Sequence, residues 1–88
     1  MNYTIEFLPG ALVDLRRLDK SKSKRILLRI QWLAENYDSI SPIPLTGALK
    51  GIFKFRVGSY RVLYTLHKSD RLIIVHEVAH RKEIYRRK

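Results

Sequence analysis

Ile52-Phe53-Lys54-Phe55-Arg56-Val57-Gly58-Ser59-Tyr60-Arg61-Val62-Leu63-Tyr64 decides the fold of the 88-residue chain. Phe53, Phe55 and Val57 alternate with Lys54 and Arg56, and a period of two marks a half-buried strand. Gly58-Ser59 is a two-residue connection with glycine at its first central position, which suits a type II′ hairpin turn. That turn fixes a register. Val57 faces Tyr60, Phe55 faces Val62, and Phe53 faces Tyr64. Such aromatic and β-branched pairs stabilise one face of a sheet. The same register sets Arg56 opposite Arg61, with Lys54 on their side. Like charges directly opposite each other are destabilising. The arrangement therefore either splays into water or holds an anion.

Reading outward, period-two patterning predicts three strands over 52–57, 60–67 and 71–78. Upstream, Tyr3-Thr4-Ile5-Glu6-Phe7 alternates like a further strand. Pro9 then opens a helix, where its missing N–H costs little. Ala11, Leu15 and Leu18 share one face of that helix, with Leu8 and Leu12 beside it, while Asp14, Arg16 and Arg17 point outward. Ser21 or Ser23 is expected to cap a second helix running to about Asn36. Ile26, Ile30, Leu33 and Tyr37 form its stripe, with Leu27 and Ala34 alongside. The short connector predicts an antiparallel helix hairpin. Residues 38–51 carry the remaining prolines and read as a long loop bordering a site. The expected fold is α+β: an N-terminal strand, an antiparallel two-helix hairpin, then a three-stranded antiparallel meander. All strands join one sheet, packed on one face by the helices. The length fits a single domain, 1–88.

Charge narrows the function. The formal net charge is +10. Residues 1–49 hold seven basic and five acidic side chains, whereas residues 50–88 hold eleven and three. So uneven a distribution implies a polyanionic partner. The tail places His80, Arg81, Lys82, Arg86, Arg87 and Lys88 around Tyr85, a mixture suited to phosphates and a stacked base of single-stranded RNA. Cysteine is absent, which excludes a disulfide framework and thiolate metal sites. His67, His76 and His80 have no accompanying carboxylate pattern, so neither a metal nor a cofactor is expected. His76 is expected to be a packed or hydrogen-bonded strand residue. No apolar run is long enough to span a bilayer and no signal peptide is visible, so a cytoplasmic location without membrane association is expected.

The run from Leu49 through Tyr64, LKGIFKFRVGSYRVLY, resembles the central signature of the RelE/ParE toxin superfamily. Val78-Ala79-His80-Arg81-Lys82-Glu83-Ile84-Tyr85 resembles the C-terminal signature of its RelE branch. The resemblance covers nearly the whole chain. It implies the toxin of a type II toxin–antitoxin module, an endoribonuclease (mRNA interferase) that enters the ribosomal A site and cuts the message there without a metal. By motif position the implied catalytic residues are Lys54, Arg56, Arg61, Arg81 and Tyr85. Lys50, His80, Lys82, Arg86 and Arg87 are the expected RNA contacts. Some family members carry a second lysine where this chain has Arg56. Arginine does not release its proton at accessible pH, so Lys54 or His80 inherits the task of general acid. The implied partners are the ribosome, messenger RNA and a cognate antitoxin with an acidic, amphipathic segment. Two other readings compete: a ParE-like inhibitor of DNA gyrase without catalytic residues, and a non-catalytic RNA-binding module. The Arg81 and Tyr85 ending weighs against the gyrase reading.

Overall fold

The computed structural model describes residues 2–86, and of Ala48, Tyr85 and Arg86 the backbone alone. Strand β1 (Thr4–Phe7) leads into helices α1 (Pro9–Arg17) and α2 (Lys20–Asn36). Strands β2 (Ile43–Pro44), β3 (Phe53–Val57), β4 (Tyr60–His67) and β5 (Leu72–His80) follow, and helix α3 (Arg81–Arg86) closes the described chain. One five-stranded sheet has the order β1-β5-β4-β3-β2. The β3–β4–β5 meander is antiparallel, and β1 returns to lie parallel to β5.

The hairpin has the expected register, including Phe53↔Tyr64, Phe55↔Val62, Arg56↔Arg61 and Val57↔Tyr60. Gly58 has φ +58° and Ser59 does not share a positive φ, as a type II′ turn requires. Ala11 and Leu15 of α1 and Ile26 and Ile30 of α2 pack on Val57, Val62, Val75 and Val78. Farther along the same face, Leu33 and Ala34 meet Tyr3, Tyr64 and Ile73. Tyr37 joins them from a 3-10 turn (Tyr37–Ser39), and its hydroxyl lies 3.1 Å from that of Tyr64.

Four features depart from the sequence-based expectations. The α2 N-cap is Asp19 rather than a serine. Its carboxylate accepts from the Lys22 N–H at 2.9 Å and from the Ser21 hydroxyl at 2.9 Å. Asp14 does not point outward. Since β1 ends at Phe7, the outer edge of β5 loses its neighbour beyond Val75, and Asp14 there accepts from the Val78 N–H at 2.9 Å. The 38–51 loop contributes a short edge strand, Ile43–Pro44, where proline is tolerated because one side of the strand bonds to nothing. The sheet also has a second, smaller core. Leu45, Leu63, Ala79 and Ile84 bury one another on the face away from α1 and α2, with Leu49 and Ile52 alongside.

Candidate active site

The second core determines where the cationic residues sit. Leu63 follows the alternation of β4, so Arg61 shares its face, as do Lys54 and Arg56 of β3. Ile84, 2% exposed, anchors α3 on this face. The Arg81 N–H donates to the Ser59 carbonyl at 2.8 Å, tying the start of α3 to the hairpin turn. Arg81 therefore begins its helix beside Arg61, and Tyr85 lies one helical turn farther along the α3 backbone.

Arg61 is only 7% exposed. Its Nη1 donates to the Gly58 carbonyl at 3.0 Å and to its neighbour Tyr60's at 2.9 Å, while Nε is buried without an acceptor. Among the described residues no carboxylate pairs with this guanidinium. A desolvated charge lacking a counter-ion is costly. It is also a common mark of a site whose ligand brings the opposite charge. Arg56 lies directly opposite and is exposed, and Lys54 is half-buried. Lys50 is exposed on the loop before β3, and Lys82 is exposed on α3. The side chains of Tyr85 and Arg86, and the whole of Arg87, lie outside the described residues.

His80 is not brought to this face. The pairing shifts by one residue between Leu63↔Glu77 and Tyr64↔Val75, leaving His76 as the extra residue of a β-bulge. The bulge reverses the alternation of β5. Ile73 and Val75 face the helices before it, and Val78 does so after it. His80, pairing with Tyr60, consequently lies on the helix side, its ring edge-on to Tyr60 at 5.6 Å. The sequence reading also missed what holds the bulge, although it expected His76 to be hydrogen-bonded: His76 Nε2 lies 2.9 Å from Thr65 Oγ1.

A family described as ParE toxin of type II toxin–antitoxin system, parDE, matches residues 5–85. The toxin RelG of Mycobacterium tuberculosis is 35% identical over 91 residues, spanning 99% of this chain and 100% of its own length. The chain is a member of the RelE/ParE toxin superfamily. It is a RelE-like toxin of a type II toxin–antitoxin system. Among solved structures, a chain of the Mycobacterium tuberculosis toxin–antitoxin complex RelBE2 superposes with a TM-score of 0.83 at 26% identity, covering 91% of this chain and 92% of that one. A chain of the RelB–RelE complex from Methanococcus jannaschii gives 0.67 at 26% identity, with 93% and 96% covered. The RelE-like toxin thus keeps the superfamily's sheet, on which Lys54, Arg56, Arg61 and Arg81 converge at one hairpin.

Proposed function

We propose that this toxin is a ribosome-dependent, metal-independent endoribonuclease that cuts messenger RNA in the A site, with the 2′-hydroxyl of the message as nucleophile. The observation that carries the reading is Arg61: buried, oriented by two backbone carbonyls, and without a carboxylate partner. The family description names the gyrase-poison branch, but the RelE branch is favoured by the RelG relative and by the Arg81 and Tyr85 ending.

In RNA the nucleophile already lies beside the phosphorus, so positioning supplies much of the acceleration. The protein must stabilise the extra negative charge of the phosphorane, take a proton from the 2′-hydroxyl and give one to the leaving 5′-oxygen. Arg61 and Arg81 serve the first need, since a guanidinium stays charged and binds two phosphate oxygens as a fork. Arg56 adds charge on the same face. With His80 behind the sheet, Lys54 is the remaining cationic group of this face able to release a proton, and we assign it the general-acid role. Tyr85 orients or deprotonates the 2′-hydroxyl.

The partner in the resting state is a cognate antitoxin, as in the RelBE and RelB–RelE complexes. Its amphipathic segment would lie along the helices. A furrow of about 410 Å³ beside α1 and α2 is lined by Leu15, Leu18, Leu27 and Leu28. A second, of about 430 Å³, between α2 and β1, is lined by Tyr3, Ile5, Phe7 and Leu27. The acidic part would approach Lys54, Arg56, Arg61 or Arg81. No helix among the described residues is long and apolar enough to cross a membrane, and we place the toxin in the cytoplasm with the ribosome.

The test is a programmed ribosome carrying a message with one 2′-deoxy nucleotide at the cleaved position. The substituted message should bind and resist cutting, and the unsubstituted one should yield a 2′,3′-cyclic phosphate and a 5′-hydroxyl. Cleavage of both at one rate would rule out the internal nucleophile. Arg81→Ala should lower the single-turnover rate on the order of 100-fold, the usual cost of removing one donor to a developing oxyanion.

A further inference from the structure

The hairpin turn is flanked by arginines on both sides, and only one side belongs to the site described above. On the cationic face Gly58 gives its carbonyl to Arg61 Nη1 at 3.0 Å. On the helix face the Arg25 guanidinium lies over the same glycine: a methyl group built on Gly58 would sit 3.2 Å from Arg25 Nη2 and 3.5 Å from Nη1. Arg25 comes from the first half of α2 and is exposed. Among the described residues no carboxylate pairs with it.

Arg25 does not stand alone. A cavity of about 260 Å³ is lined by Lys22, Arg25, Ile26, Val57, Ser59, Tyr60 and His80. Its walls are apolar, from Ile26, Val57 and the Tyr60 ring, and its polar groups are predominantly donors. His80 Nδ1 accepts from the Lys82 N–H at 3.2 Å, which places the proton of the neutral ring on Nε2. Ser59 adds a hydroxyl. Lys22 is held only by a 3.9 Å contact with exposed Asp19, an interaction worth little in water and readily exchanged.

We propose that this pocket is a second phosphate-binding site, which takes a backbone phosphate of single-stranded or looped RNA where the strand passes over the hairpin tip. The proposal rests on the RNA-cleaving reading and extends it. Arginine, lysine, an imidazole N–H and a serine hydroxyl converging on one cavity match the three anionic or polar oxygens of a phosphodiester and its linkage. The carboxylate of an acidic peptide would satisfy the arginine as well. Position favours RNA: the pocket and the Arg56–Arg61–Arg81 face share the Gly58–Ser59 turn, so one polyanion can engage both without a break in positive charge. The two sites then form a saddle across the turn. Arg61 orients the phosphate that reacts, and Arg25 and Lys22 hold one that does not.

The test compares Lys22→Gln/Arg25→Gln with the parent chain and with Lys68→Ala. The glutamines keep the length of the surface side chains, so folding should survive, and thermal unfolding verifies it. Lys68 lies in the β4–β5 turn at the opposite end of the sheet. The probe is a fluorescent single-stranded RNA oligonucleotide, titrated over a range of salt concentrations. Two lost phosphate contacts should make the log–log salt slope shallower by about 1.4, with affinity at low salt reduced on the order of tenfold, while Lys68→Ala changes neither. His80→Gln should give a smaller loss in the same direction. An unchanged slope and affinity in the double variant overturn the proposal. So does unchanged RNA binding coupled with weakened binding of the antitoxin's acidic segment, which would assign the pocket to the peptide. A parent chain that neither binds the oligonucleotide nor cleaves message on the ribosome would instead sink the RNA reading as a whole, and this site with it.

Discussion

Tyr64 is 1% exposed, and its hydroxyl has one partner, the hydroxyl of buried Tyr37. Burial pushes the Tyr64 phenol far above its ordinary value, and the hydrogen bond with Tyr37 adds to the rise. Tyr37 is also raised, chiefly by burial. Both groups therefore bind protons more tightly when folded than when unfolded. Their contribution to stability is intact below the unfolded value near 10 and is lost as pH climbs above it. Alkaline titration should show phenolate absorbance appearing together with unfolding for this pair. Tyr64→Phe leaves the Tyr37 hydroxyl buried without its partner, which should cost about 1–3 kcal/mol in denaturant melts. Gly58→Ala should also destabilise, by about 1–2 kcal/mol, because alanine resists a positive φ. The new methyl would press on Arg25 as well, so loss of RNA affinity should accompany the loss of stability. At this scale the sequence was informative wherever a short-range rule applied. Arg56 and Arg61 were placed opposite each other because a two-residue turn beginning with glycine leaves the register no freedom. Nothing local revealed that Arg61 would be buried, since Ile84, a residue of the core that covers its face, lies 23 positions later in the chain.

Among the elements, α2 shows how a cap can be misjudged. Ser21 and Ser23 compete with Asp19 for the same role, and Asp19 takes it because one carboxylate accepts from both Lys22 N–H and Ser21 Oγ. The backbone bond from Lys22, then the Ser21 hydroxyl, holds the Asp19 carboxyl below its usual value. A depressed folded value means the stabilisation is present above the unfolded pKa near 3.9 and lost as pH falls through the folded one. Asp19→Ala should therefore lower the melting temperature at neutral pH and have a diminishing effect as the solution becomes strongly acidic. Asp19→Ser should restore much of the loss, since serine is a comparable cap. Helix α3 is the other informative element. Its hold on the sheet rests on Ile84 and on the bond from Arg81 to Ser59. Ile84→Ala should cost about 2–4 kcal/mol and reduce cleavage more than ribosome binding, because Arg81 and Tyr85 are carried by that helix. Single-turnover rates alongside binding titrations would separate the two. The sequence left the tail open between helix and extended chain, since six residues of helix are too few to declare themselves without the sheet beneath them.

Over the whole molecule, the charge excess of the second half is gathered around one hairpin while the exposed leucines gather on the helices. Leu12, Leu27 and Leu28 are each at least 39% exposed. An antitoxin that covers the leucines and also neutralises the hairpin must span both regions. Truncating its acidic portion should weaken the complex more at low salt than at high salt, because exposed charges are screened. With four cationic side chains engaged on the message, RNA or ribosome binding should show a log–log salt slope of about −3. A slope near zero would leave the cationic face without its proposed role. Strand order and the parallel return of β1 were not legible from patterning, which reports which residues are buried but not which strands are neighbours. The superfamily signature supplied the architecture, and composition alone supplied the anionic partner.

The bulge at His76 has a genetic consequence. Strands usually tolerate a lost residue badly because their alternation reverses, yet here the reversal is native. Deleting His76 would restore unbroken pairing between β4 and β5 and make the ladder more regular. It would also turn Ala79 toward the helices, bring His80 around to the cationic side, and launch α3 half a turn out of phase, with Ile84 aimed at water and Arg81 carried away from Arg61. In a library of single-codon deletions, this position should then stand apart from ordinary core lesions: a chain whose sheet still forms, found among the survivors of a toxicity selection because it no longer harms its host.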